Sequence, residues 1–230
     1  MNIVFAFCNS GNLLGTAFFI IFSTLIICNI SVGLVNDESV FGFKLVQTHL
    51  TQDQNKFYHI IGIAQNDMNV TVDNIFVHAT ISDDHETILG NYSSQVAVHP
   101  LNPLEETPFD VLIYDKSHNN LIKNFTVSFT YEGTKTTERD VKIHSTSSKL
   151  DATGFYFISG RITNNMNTFL KSTTIIAALN DKNNDLIGIW KAQSEPYNIP
   201  PLSTASFTIP VTDRGQGVDI YNYTMYSNNS

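Results

Sequence analysis

Two similar stretches of sequence lie far apart in the chain: residues 57–62 read FYHIIG, and residues 155–160 read FYFISG. An Asn-rich motif follows each copy, NDMN at residues 66–69 and NNMN at residues 164–167. The same offset of 98 residues continues without a gap to the NFT of residues 124–126 and the NYT that matches it. Self-similarity at this period indicates two domains, because solenoid repeats are only about 20–50 residues long.

The repeat sets the expected domain boundaries. The first domain covers residues 40–131, and the second covers residues 139–228. Residues 132–138 form the predicted linker, because their sequence, EGTKTTE, is polar and has no apolar face.

Both repeats alternate apolar and polar residues in a way that predicts β-strands. The alternating apolar positions are Ile75, Val77, Ala79 and Ile81; Phe109, Val111 and Ile113; Ile175, Ala177 and Leu179; and Phe207, Ile209 and Val211. A period of two, rich in β-branched and aromatic residues, is typical of half-buried strands, and no segment shows a sustained helical period with caps. About seven short strands in each repeat of about 90 residues predict a two-layer sandwich. The expected fold class is all-β: two tandem immunoglobulin-like β-sandwich domains preceded by one N-terminal hydrophobic helix.

The start of the chain has the pattern of a signal peptide or a membrane anchor, and a buried core helix is the remaining alternative. Residues 1–36 contain no Lys, Arg, Asp or Glu, and residues 13–35 form a mostly apolar run. About 20 apolar residues span a bilayer and about 7–15 form the core of a signal peptide, so the run fits either a signal peptide or a transmembrane anchor. The small-x-small sequence Ser31-Val32-Gly33 favours cleavage, whereas the length and the missing basic start favour an anchor. Both interpretations predict an extracytoplasmic protein, secreted or held in the membrane through residues 13–35.

The cysteines and the net charge exclude several classes of protein. Both cysteines, Cys8 and Cys28, lie in the uncharged residues 1–36, which we call the leader; we call the rest of the chain the body. The body therefore has no disulfide framework, thiolate metal site, cysteine nucleophile or blue-copper centre. The formal net charge is -8, from 13 basic and 21 acidic side chains. Nucleic-acid binding needs clustered Lys and Arg, so we expect no nucleic-acid partner.

Two acidic turns are the candidates for metal ligation. Residues 83–86 read DDHE, and residues 181–185 read DKNND, which resembles the start of a calcium loop. A calcium loop needs Gly at its sixth position and Glu at its twelfth, and these positions hold Leu186 and Ala192. Both segments align as the same hairpin turn, so we predict no metal and no cofactor. The ligands of a cation, if either turn bound one, would be Asp83, His85, Asp181 and Asp185.

The body lacks the motifs of common enzyme classes. It has no Gly-x-Ser-x-Gly, no His-Glu-x-x-His and no phosphate-binding loop. Its histidines are dispersed, and none has a second histidine at the spacing of a metal-binding pair. We therefore predict no catalytic residue and no enzymatic activity.

Asn-x-Ser/Thr sequons are the modification signal of the body. They begin at Asn69, Asn91, Asn124, Asn222 and Asn228. In an exported protein, such asparagines accept N-glycans where they are exposed. A composition this rich in Asn, Ser and Thr also produces sequons by chance, so these residues are glycosylation candidates.

Each repeat carries the same ordered set of short motifs. GIAQND at residues 62–67 matches GRITNN at residues 160–165, and ATISD at residues 79–83 matches AALND at residues 177–181. A Gly, a Pro-Leu pair and a Phe follow in both copies. This order resembles the FxLYD-type domains, small extracellular β-sandwich modules of bacteria and archaea, although the Phe and Tyr of the name-giving motif are replaced. The resemblance covers most of residues 40–228.

The resemblance implies adhesion, spacing or ligand contact outside the cell and no catalytic residues, and the layout is similar to that of predicted archaeal surface proteins. The expected function is therefore a structural, adhesion or protein-binding role at the cell surface or in secreted form. Two alternatives stay open: a divalent-cation- or glycan-binding module, and an accessory domain of an extracellular enzyme system. The expected partners are the membrane, where the leader is uncleaved, and a cell-surface protein or glycan.

Overall fold

The computed structural model describes residues 42–136 and 138–229. Within these residues the chain is mostly β-strand, which confirms the all-β class. The leader, with its predicted hydrophobic helix, lies outside the described residues. No helix within them is both long enough and apolar enough to cross a bilayer.

Twelve strands lie in the described part of the chain. The first six are β1 (Phe43–Gln52), β2 (Tyr58–Asn66), β3 (Thr71–Ser82), β4 (Ile88–Gln95), β5 (Glu106–Ile113) and β6 (Asn124–Thr134). The next six are β7 (Val141–Leu150), β8 (Tyr156–Asn164), β9 (Thr174–Asn180), β10 (Leu186–Gln193), β11 (Thr204–Val211) and β12 (Asn222–Asn228). β6 extends into the predicted linker, because Glu132 and Gly133 pair with Asp73 and Val72 of β3.

One 3-10 turn and one short helix complete the described elements. The turn, Lys116–His118, follows β5, and the helix α1, Arg214–Asp219, follows β11. Periodicity does not predict α1, because its sequence RGQGVD is only six residues long and contains two glycines. The preceding Asp213 caps the helix, since its Oδ1 accepts the backbone N–H groups of Gly215 and Gln216 at 2.9 and 3.2 Å.

The described strands form four antiparallel sheets of three strands each. The first repeat contributes the sheets β1-β2-β5 and β4-β3-β6, and the second contributes β11-β8-β7 and β10-β9-β12. Five of the six pairs of equivalent strands begin 98 residues apart, as β2 and β8 do at Tyr58 and Tyr156, while β9 begins 103 residues after β3. The backbone also adopts a positive φ at both Leu104 (65°) and Leu202 (53°). The repeat of sequence is therefore also a repeat of backbone structure.

The two sheets of the first repeat face each other across a hydrophobic core. Phe43 of β1 stacks on Phe129 of β6 with ring centroids 4.7 Å apart, and Phe109 of β5 meets Phe129 edge-on at 5.9 Å. Aliphatic side chains such as Ile60 and Val77 are completely buried around the rings. Burial of each such side chain stabilises the fold by about 1.5–3 kcal/mol.

The second repeat encloses its own core between its two sheets. The buried residues are Ile158, Ile162, Leu170, Ile175, Ala177, Leu179, Ile199, Ala205, Phe207, Ile209 and Val211. In both repeats, every alternating apolar position that the sequence assigns to a strand face is buried. The predicted strand faces are thus confirmed.

A glycine lies directly beneath an aromatic ring in each repeat. A Cβ atom at Gly62 would lie 2.3 Å from Cζ of Phe109, and one at Gly160 would lie 2.6 Å from Cζ of Phe207. Each ring belongs to the residue that pairs with the glycine on the neighbouring strand. Both positions therefore need glycine because a ring approaches the backbone closely.

An apolar cluster, which we call the seam, joins the two repeats. It consists of Ile61, Ile63, Ala178 and Leu186, with the half-buried Ile189 and Tyr226 packed against them. These side chains project from β2, β9, β10 and β12 on the faces opposite the two cores. Tyr226 also donates to Glu106 Oε2 at 3.2 Å, and burial beside this carboxylate raises the pKa of the phenol. β2 and β9 are consequently buried on both faces.

Candidate functional site

A cleft of about 270 Å³ lies where the two repeats meet. On the side of the first repeat, Asp53, His59 and Asp110 line it. On the side of the second repeat, Trp190 and Asp213 line it. The cleft thus combines three carboxyl groups, one imidazole and one indole.

Local turn chemistry holds Asp53 at the cleft. Its Oδ1 accepts the backbone N–H groups of Asn55 and Phe57 at 2.9 and 2.8 Å. Aspartate favours such a turn because its side chain replaces a backbone acceptor. The other oxygen, Oδ2, lies 3.8 Å from Nε2 of His59. The turn therefore leaves one carboxylate oxygen near the imidazole.

His59 lies between two carboxylates. Its Nδ1 lies 2.8 Å from Oδ1 of Asp110 on the neighbouring β5, while its Nε2 faces Asp53. The hydrogen bond with Asp110 raises the pKa of His59, and the charges of Asp110 and Asp53 act in the same direction, whereas burial opposes them. The pKa of the imidazole therefore favours its cationic form.

Two further contacts position the walls of the cleft. Asp213 is only 6 % exposed, and its Oδ2 accepts the backbone N–H of Gln54 from the first repeat at 3.0 Å. Trp190 donates through Nε1 to Oε1 of Gln216 at 2.8 Å. Because both repeats contribute walls, the cleft requires the repeats to stay packed together.

The charges of the cleft indicate which ligands it favours. The carboxylates of Asp110 and Asp53 favour the protonated form of His59. Nε2 of His59 has no hydrogen-bond partner among the described residues. The described lining contains three aspartates and no Lys or Arg. These groups favour polar or cationic ligands over anionic ones.

The cleft cannot be recognised from the spacing of residues in the sequence. Its polar side chains come from separate segments of the chain, namely those of Asp53, His59, Asp110 and Asp213. The one available signal is strand parity: His59 and Asp110 lie on the faces of β2 and β5 that point away from the core. The equivalent positions of the second repeat hold Phe and Thr. The polar pair is therefore a feature of the first repeat.

The first acidic turn brings its two predicted ligands, Asp83 and His85, close to a third ligand-type residue, Asp84. Suitable atoms of Asp83, Asp84 and His85 lie within 4.8 Å of one another on the hairpin between β3 and β4. Oδ1 of Asp83 already accepts the backbone N–H groups of His85 and Thr87 at 2.9 and 2.8 Å. The hydrogen bond from Thr87 is the main reason that the pKa of Asp83 is lowered. The geometry agrees with a turn that its own aspartate stabilises.

The second acidic turn has the same geometry. Oδ1 of Asp181 accepts the backbone N–H groups of Asn183 and Asp185 at 2.8 and 2.9 Å on the hairpin between β9 and β10. Within the described residues, Asp181 and Asp185 belong to no group of three close His, Cys, Asp or Glu side chains.

The sequon asparagines differ in their surroundings. Asn69, Asn91, Asn124 and Asn222 are exposed, whereas Asn228 is half-buried and accepts the backbone N–H of a residue of the first repeat at 3.1 Å. Asn91 accepts a hydrogen bond from a threonine at 2.7 Å, and Asn124 donates to a backbone carbonyl at 3.2 Å. The first four candidates therefore have the exposure that N-glycosylation requires, whereas Asn228 is partly covered.

Comparisons with known proteins identify no family for the chain. No family model matches it, and no curated protein matches it. Among solved structures, it is similar to a transglutaminase of red sea bream, with 8 % sequence identity and a TM-score of 0.23. The match covers 82 % of this chain and 29 % of that chain, and a likeness this low carries no argument about fold or function.

Proposed function

We propose that the chain is a non-catalytic extracytoplasmic protein with a structural, adhesion or protein-binding role. Its body consists of two tandem immunoglobulin-like β-sandwiches of the FxLYD type, residues 40–131 and 139–228. The apolar leader supports export or anchoring. The two pairs of facing sheets support the tandem architecture.

The seam is the observation that carries this proposal. Tandem domains joined only by a linker usually reorient freely. Here Ile61 and Ile63 of the first repeat pack against Ala178 and Leu186 of the second, and each of the four is at most 6 % exposed. A fixed pair of sheet modules is suited to spacing or to presenting a surface, since neither role needs the modules to move.

The location is tested on intact cells that express the full chain. A membrane-impermeant amine reagent should label the protein without lysis, because the body carries lysines such as Lys142 and Lys149 on its surface. A matched variant that lacks residues 1–36 should stay unlabelled until the cells are lysed. Mass spectrometry of the native N-terminus then distinguishes cleavage after Gly33 from a retained anchor. Labelling of the full chain only after lysis contradicts the proposal.

A divalent-cation role is the second candidate, because the ligand atoms at Asp83, Asp84 and His85 lie close together. The turn geometry gives this role less support. One oxygen of Asp83 is already engaged with the backbone, and the side chains of Asp84 and His85 are 69 % and 81 % exposed. Water competes strongly for a cation at so open a position.

A further inference from the structure

The second repeat has a groove of about 500 Å³ between β7 and β12, which belong to its two different sheets. Val141, Lys142 and His144 of β7 line one side, and Met225 and Ser227 of β12 line the other. Both strands lie at an edge of their sheets. The groove is therefore an opening along the side of the second repeat.

The first repeat fills the same place with aromatic rings. Val141 and Ser227 are equivalent to Phe43 and Phe129, which stack at 4.7 Å and are 0 % and 5 % exposed. Tyr131 packs edge-on against Phe43 at 5.6 Å. The residue equivalent to Tyr131 in the second repeat is an asparagine. The groove thus exists because small or polar residues replace rings that close the first repeat.

The edge of β7 is available for backbone pairing. In the described part of the chain, β7 pairs with β8 on one side and with no strand on the other. An edge strand presents N–H and C=O groups that an extended segment of another chain pairs with readily. The groove beside β7 would then receive side chains of the added strand.

The charge of the groove indicates which segment it prefers. Lys142 and His144 line it, and no Asp or Glu is among its described lining residues. A carboxylate close to the inserted side chain would pair favourably with Lys142.

We propose that this groove binds an extended segment of a partner protein, which adds to β7 as a strand. The segment inserts an aromatic side chain where the first repeat holds Phe43 and Phe129, and it carries an acidic residue next to that ring. This proposal rests on the protein-binding role proposed above and names the surface that performs it.

A peptide with the sequence of residues 124–134, NFTVSFTYEGT, is the probe. It carries Phe129 and Tyr131, which close the first repeat, and Glu132, which directly follows Tyr131. Fluorescence anisotropy with the full chain should give saturable binding. A control peptide with Phe129→Ser should bind at least about tenfold more weakly, because it lacks the ring that enters the groove.

Variants of the protein locate the bound peptide. Ser227→Phe places a ring in the groove and should weaken binding at least about tenfold. Lys142→Glu should also weaken it, whereas Lys149→Glu, an exposed change on the same strand outside the groove, should leave the affinity unchanged. Lys142→Glu tests the proposal independently if Ser227→Phe does not fold.

Hydrogen exchange provides a direct readout of strand addition. Bound peptide should slow exchange at the backbone amides of β7 and leave those of β1 unchanged. Absence of saturable binding, affinity that survives both groove variants, or protection outside β7 would overturn the proposal. Self-association of the full chain that Ser227→Phe abolishes would assign the groove to a second copy and would also overturn it. None of these outcomes affects the surface labelling of intact cells, so the two proposals fail separately.

Discussion

Two buried asparagines, Asn66 and Asn164, organise the same loop in each repeat. Both are completely buried. Nδ2 of Asn66 donates to the carbonyl oxygens of Val70 and Leu101 at 2.9 and 3.0 Å, and Oδ1 accepts the backbone N–H of Met68. Asn164 makes the equivalent two donations at 2.8 and 3.2 Å. Each buried side chain therefore links separate backbone segments of its repeat through several hydrogen bonds.

Replacement of Asn164 by alanine should destabilise the protein. The change removes the hydrogen bonds that this buried amide makes to the carbonyl oxygens of Thr168, Ile199 and Pro200 and to the backbone N–H of Met166. Each such bond contributes about 0.5–1.5 kcal/mol, so we expect a loss of at least about 2 kcal/mol in the free energy of unfolding. Urea denaturation followed by circular dichroism measures it. The matched control is Asn167→Ala, an exposed residue of the same loop, which should change stability by less than about 0.5 kcal/mol. Equal effects of the two substitutions would show that the buried hydrogen bonds contribute nothing specific.

His59 should make the stability of the protein depend on pH. Its folded-state pKa is raised by Asp110 and Asp53, so protonated His59 stabilises the fold below the pKa of an unfolded histidine, about 6.5. This contribution disappears as the pH rises through the raised folded-state pKa. His59→Phe, which copies the second repeat, should reduce the loss of unfolding free energy between about pH 5.5 and pH 8.5. His85→Gln controls for the removal of a histidine on an exposed turn. An unchanged pH slope in His59→Phe would contradict the assignment.

The two acidic hairpins connect strands at the same point of both repeats. Asp83 and Asp181 each accept two backbone N–H groups within their own turns. Such bonds stabilise the tight turn between antiparallel strands without any ion.

We therefore expect Ca²⁺ and Cu²⁺ to leave the melting temperature of the full chain unchanged. A bound ion at 100 times its dissociation constant would stabilise the fold by about 2.7 kcal/mol, a clear thermal shift. The measurement is a thermal melt of chelator-treated protein with and without about 1 mM metal. A rise in melting temperature that disappears in both Asp83→Asn and His85→Gln would instead establish a cation site on the first hairpin.

Local sequence predicts the strand faces of this fold but not how its repeats meet. The alternating positions, such as Ile75 to Ile81 in β3, are buried because a period of two specifies one face of a strand directly. Ile61 and Ile63 are visibly apolar, yet their partners lie more than 100 residues away, and no local pattern identifies those partners. The cleft cannot be predicted for the same reason, because Trp190 and Asp213 line it from the second repeat, far along the chain from His59.

In the molecule as a whole, the start of the second repeat makes a further contact with the first repeat. The Arg139 side chain is 8 % exposed, and its Nη1 lies 3.7 Å from Oε2 of Glu105 in the first repeat. Burial lowers the pKa of Arg139. The adjacent Asp140 accepts hydrogen bonds from the backbone and the side chain of Asn165 at 2.9 and 2.8 Å. Arg139 thus adds a polar contact between the repeats to the apolar contacts of the seam.

Disruption of the seam should uncouple the two repeats. The seam joins the two repeats, and Ile176 of β9 in the second repeat also belongs to the core cluster of the first, so the intact chain should unfold in one calorimetric transition. Ile63→Asp removes an aliphatic contact worth about 2–5 kcal/mol and buries a carboxylate, so the single transition should split into two. Leu112→Asp, on the same sheet but 44 % exposed, is the control and should keep one transition. If Ile63→Asp unfolds like the unmodified chain, the seam does not couple the repeats, and the rigid-spacer role loses its support.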